Sequence, residues 1–86
     1  MKDLPAITGF QLIRLLALDG WVSARKATHG QALRKYFPNE KRTRVAVVPR
    51  NRAALPKGTL SGILSVKQTG LGREGLAALI RKYRLK

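Results

Sequence analysis

One imidazole stands in this chain, at His29, and no thiol accompanies it, because cysteine is absent. Near neutral pH an imidazole takes or gives a proton, which is what cleaving RNA through its own 2′-hydroxyl requires. His29 lies between Thr28 and Gly30, with Arg25 and Lys26 just upstream. Cationic side chains so placed could hold a phosphate and stabilise the charge that develops on it. The same basic surroundings disfavour the imidazolium, which suits a base at neutral pH. A histidine in a turn is also at home as a plain solvated residue, and composition and spacing alone leave both readings open.

Other chemistries find little support. The four carboxylates, Asp3, Asp19, Glu40 and Glu74, are far apart in sequence and form no paired acid/base set. A single histidine without cysteine does not build a transition-metal site, so no metal and no cofactor are expected. No phosphate-cradling glycine motif follows a strand, and Gly70-Leu71-Gly72 reads as a helix stop and restart.

Charge points the same way as His29. Lys and Arg number 18 against 4 Asp and Glu, a formal net charge of +14 on 86 residues, which attracts polyanions. Half of the positive charge, 9 of 18, falls between Arg25 and Arg52, where only Glu40 opposes it. Arg25, Lys26, Arg34, Lys35, Arg44 and Arg50 are the candidates for gripping an RNA backbone, with Thr28 beside the histidine. Such residues on a small sheet are equally the ordinary makings of a solvated face. An acidic protein partner would exploit the same charge for fast association.

These residues need elements to position them. With 44% hydrophobic and 26% charged residues the chain suits one compact domain and not a disordered tail. Thr8-Gly9-Phe10-Gln11 fits a capping box, and Phe10, Ile13, Leu16 and Ala17 recur at helical spacing, which predicts a helix over 9–18. Asp19-Gly20 ends it. From Trp21 the helical period disappears. Strands are expected over 21–27, 31–37 and 43–48, separated by Thr28-His29-Gly30 and Pro38-Asn39-Glu40-Lys41 and stopped by Pro49. A helix opening at Gly58-Thr59 with Leu60, Ile63 and Leu64 on one face and closing at Gly70 follows, then a last helix over 72–83 with Leu76, Leu79, Ile80 and Tyr83 in register. Trp21 and the apolar stripes are assigned to the core. In the second strand Arg34 and Tyr36 share one face and Lys35 and Phe37 the other, and alternation does not say which face is buried.

Ile7 to Leu18 is apolar, but Gln11 and Arg14 interrupt it where a secretory signal needs an unbroken run. No 18-residue apolar stretch exists, so no membrane span and a cytoplasmic setting are expected.

Taken in order, several segments resemble the HicA-type mRNA interferase toxins of bacterial toxin–antitoxin pairs. They are Ile7-Thr8-Gly9 followed by Leu12-Ile13 and Leu15-Leu16; Asp19-Gly20-Trp21-Val22; Ala27-Thr28-His29; Val47-Val48-Pro49; Leu55-Pro56-Lys57-Gly58-Thr59-Leu60 with Ile63-Leu64; and Lys67-Gln68-Thr69-Gly70-Leu71. The resemblance covers most of the chain and is carried by order and spacing, since no one motif is decisive. It implies an α+β, double-stranded-RNA-binding-domain-like fold, α-β-β-β-α on a three-stranded antiparallel sheet, here with an additional C-terminal helix. It also implies a metal-independent endoribonuclease that cleaves mRNA with His29 as its essential residue, neutralised by a HicB-type antitoxin. The chain departs from the family at Ala27, where many members have glycine, and after Pro49, where many have a second histidine. Ser65-Val66 reads as an insertion that lengthens the second helix, and the region from Gly72 onward is expected to serve packing or antitoxin contact.

Overall fold

The computed structural model describes residues 6–27 and 30–83, with the side chains of residues 24–27 outside that description. The chain runs α1 (Gly9–Leu18), β1 (Val22–Ala27), β2 (Gly30–Phe37), β3 (Arg42–Val48), α2 (Lys57–Leu64) and α3 (Gly72–Tyr83). The three strands form one antiparallel sheet in the order β1-β2-β3. This is the α+β arrangement expected, α-β-β-β-α with an additional C-terminal helix.

Local chemistry sets the boundaries of α1. The Thr8 side chain accepts a hydrogen bond from the Gln11 backbone at 3.0 Å, and the Gln11 side chain accepts one from Thr8 N–H at 2.9 Å. Two otherwise orphaned donors are thereby satisfied reciprocally. At the other end Trp21 N–H donates to Leu16 O and Gly20 N–H to Ala17 O, the paired bonds of a Schellman stop. That stop needs a left-handed residue, and Gly20 supplies it at φ +101.

The helices cover one face of the sheet. α1 and α2 both contact β3, and α3 packs against α1 and α2. The buried side chains form a single cluster in which Leu12, Leu15 and Leu16 of α1 meet Leu33, Ala46 and Val48 of the sheet and Leu60, Ile63 and Leu64 of α2. Burying each large one contributes about 1.5–3 kcal/mol. α3 belongs to this core through Leu76 and Leu79.

One boundary differs from the sequence reading. The second helix stops at Leu64 and does not continue to Gly70, so Ser65-Val66 does not lengthen it. Ser65 adopts an extended backbone and its hydroxyl donates back to Gly62 O at 2.7 Å. Residues 65–70 then fold into a compact loop. The buried Thr69 donates both its N–H and its hydroxyl to Ile63 O, at 3.0 and 2.8 Å. Polar side chains that bond nearby backbone compete with helix continuation, and hydrophobic spacing cannot register that competition. Among the described residues no helix is long and apolar enough to cross a membrane.

Candidate nucleic-acid interface

Packing of one aromatic resolves the ambiguity in β2. Phe37 meets Trp21 edge to face, with ring centroids 5.9 Å apart, so Leu33, Lys35 and Phe37 point toward the helices. Ala32, Arg34 and Tyr36 therefore alternate onto the opposite, open face. Register carries this across to β3, where Arg34 lies opposite Val45 and Tyr36 opposite Thr43.

The cations divide accordingly. Lys35 Nζ donates to Asp19 O at 2.8 Å and to its carboxylate at 3.2 Å, and lies 5.4 Å from the Phe37 ring centroid. The Arg44 guanidinium also lies over that ring, 5.6 Å from its centroid. It forks onto both Glu40 oxygens at 3.0 Å and reaches the carbonyls of Val66 and Gln68 in the α2–α3 loop. The hydrogen bond from Arg44 holds the Glu40 carboxyl below its ordinary value, partial desolvation opposing this and the charges of Arg44 and Arg42 adding to it less. Lys35 and Arg44, two of the sequence candidates for RNA contact, are thus engaged within the fold. Two of the chain's four carboxylates are used in holding them.

Arg34 is placed differently. It is exposed on the open face and, among the described residues, has no hydrogen-bond or ion-pair partner. Around it the open face is apolar: Val22, Tyr36, Val45 and Val47 are 42–58% exposed. A shallow depression of about 280 Å³ lies between Gly20, Val22, Arg34, Lys35, Tyr36 and Thr43. Among the described side chains the open face around Arg34 is therefore largely apolar. The β3 edge of the sheet is closed by the α2–α3 loop, where Gln68 Oε1 accepts from Val47 N–H at 3.0 Å.

Thr28 and His29, which follow β1 and precede β2 in the sequence, lie outside the described residues, as do the side chains of Arg25 and Lys26. The backbone on either side is described. Arg25 and Lys26 pair in register with Ala32 and Gln31, and Ala27 with Gly30. Gly30 lies so close to β3 that a Cβ there would stand 2.5 Å from Val48 O and 3.1 Å from Pro49 Cα. Any side chain at that position would force the two strands apart. The close approach brings the Pro49-Arg50 exit of β3 beside the residue that follows His29. Arg50 is exposed there. Its loop is tied to α1 by Phe10 N–H donating to Asn51 O at 3.4 Å and to the preceding segment by Leu55 N–H donating to Ile7 O at 2.8 Å.

The sequence points to Arg50 and Arg34 without showing that one follows the β3 exit packed against Gly30 and the other stands among apolar neighbours. It left Tyr36 undecided. Among the described residues no three His, Asp or Glu side chains gather into a set able to hold a metal ion. Comparison with protein-family models, with curated proteins and with solved structures finds no match to this chain.

Proposed function

We propose that this chain is a HicA-type toxin of a bacterial toxin–antitoxin pair: a metal-independent endoribonuclease that cleaves mRNA in the cytoplasm and is neutralised by a HicB-type antitoxin. The observation that carries the reading is the approach of Gly30 to Val48 and Pro49. It brings the β3 exit, where the exposed Arg50 follows Pro49, against Gly30, the residue that follows His29 in the sequence. A proton-transfer group and a fixed cation at one edge of a basic domain are what cleavage through the 2′-hydroxyl needs.

In the reaction the 2′-oxygen attacks phosphorus, the bond from phosphorus to the 5′-oxygen breaks, and a 2′,3′-cyclic phosphate and a 5′-hydroxyl result. His29 takes the proton from the 2′-hydroxyl or supplies one to the leaving 5′-oxygen. One imidazole does not serve both ends optimally in a single step, so turnover is slow. Arg50 holds the phosphate and favours the charge that grows on it, with Arg25 and Lys26 as further candidates.

The test is incubation of purified wild type and His29→Ala with bulk mRNA and no divalent metal, products being resolved on a gel. Cleavage by the wild type alone is the expected result. If the wild type is folded and binds RNA but leaves it intact, the chain is instead a non-catalytic basic RNA-binding module.

A further inference from the structure

Seven large hydrophobic side chains are exposed among the described residues, and four of them, Val22, Tyr36, Val45 and Val47, share the open face of the sheet. Tyr36 is the one aromatic in that group and is 58% exposed. The register that sets Val22 opposite Arg34 brings the start of β1 alongside the Tyr36 end of β2, where Gly20, without a side chain, helps line the depression. Thr43 stands on the other side. A ring is thus left standing over a floor from which bulk is missing, with room for a planar group to lie against it. Arg34 follows on the same face one pleat away, about 7 Å along the strand. It has no partner among the described residues and no carboxylate among its neighbours across the sheet, Val22 and Val45.

We propose that Tyr36 and Arg34 form a subsite for single-stranded RNA, in which an unpaired base stacks on the Tyr36 ring and an adjoining phosphate is held by Arg34. The inference deepens the proposed ribonuclease function and rests on it. Charge argues for this occupant: the chain is +14, and two of the three described acids, Asp19 and Glu40, are already engaged by Lys35 and Arg44. An aromatic face with a free guanidinium is the arrangement by which open sheets take unpaired bases, whereas a duplex keeps its bases stacked away from such a ring. Tyr36 lies six residues along β2 from Gly30, about 20 Å. The stacked base is therefore several nucleotides from the bond cut beside His29, so the site reads a strand and not a single nucleotide.

The experiment measures anisotropy of a labelled single-stranded RNA 12-mer and of a hairpin duplex, using the His29→Ala protein so that the probe stays intact. Added to that background, Tyr36→Ala weakens single-strand binding roughly five- to a hundred-fold and leaves duplex binding within about twofold. Tyr36→Phe keeps the affinity, since the ring and not the hydroxyl stacks. Thermal melting verifies the fold, and an exposed Tyr36 predicts no change in it. Unchanged single-strand affinity in Tyr36→Ala, with the parent binding well, overturns the subsite alone and leaves this apolar face to the antitoxin. A parent that binds neither RNA at moderate salt overturns the ribonuclease reading and the subsite together.

Discussion

Arg34 and Arg44 are both basic residues on neighbouring strands, yet the structure gives them opposite roles, and exchanging each for a neutral residue separates those roles. Arg44→Met removes the guanidinium that lies over Phe37 and reaches the Val66 and Gln68 carbonyls. Hydrogen bonds to a charged group are each worth about 1.5–3 kcal/mol when well shielded, and the Arg44 side chain is only 13% exposed. Its ion pair with Glu40 adds little, because Glu40 faces water. Allowing for one strong bond, one longer one and a lost cation–π contact, the fold should weaken by about 2–3 kcal/mol. For a domain this size that lowers Tm by about 8–24 °C. Arg34→Gln removes a side chain with no partner among the described residues and should shift stability by no more than about 0.5 kcal/mol. It should instead weaken single-stranded RNA binding and reduce the salt slope by about 0.7. Thermal melts and anisotropy titrations over a salt series read both quantities on the same samples. If Arg44→Met melts like wild type and loses RNA affinity, Arg44 is a substrate contact and the division of cations between the two faces is wrong.

Three further outcomes follow from the same contacts. The Glu40 carboxyl is held below its ordinary value near 4.5 by the Arg44 hydrogen bond. Its contribution to stability is thus present above that value and lost as pH falls through the lower, folded one; Glu40→Gln should flatten the acid limb of a Tm-versus-pH curve below about pH 4.5, and an unchanged limb would show that the pair does not hold in solution. Gly30→Ala should cost about 1–3 kcal/mol by overpacking against Val48 O, seen as a lower denaturant midpoint, whereas a neutral result would mean the β2–β3 approach is looser than described. Leu76→Ala should cost about 2–5 kcal/mol, because Leu76 is fully buried; a loss below about 1 kcal/mol in urea unfolding would demote α3 from core element to appendage.

Local signals were enough for much of this fold. The capping box at Thr8 and Gln11, the Gly20 stop and the apolar spacing of α1 and α3 each act within a few residues, so the sequence predicts those helices at the observed boundaries. Pro38–Lys41 and Pro49 likewise delimit β2 and β3 within one residue of expectation. The early end of α2 was hidden because Leu60, Ile63 and Leu64 continue a helical pattern up to the point where Ser65 and Thr69 capture backbone groups.

Of the interface, the sequence by itself determined the charge, the single imidazole and the set of cations that could serve RNA. It could not divide that set. In β2 each face offers one cation and one aromatic, Arg34 with Tyr36 and Lys35 with Phe37, and in β3 valines stand on both faces. Alternation is symmetric under exchange of the two sides, so no count of residues breaks the tie. Contact breaks it: Trp21 takes Phe37, Asp19 takes Lys35, and the α2–α3 loop takes Arg44. Those partners come from segments up to two dozen residues away, and only the closed chain brings them to one face. What they leave on the other face is Arg34 and Tyr36.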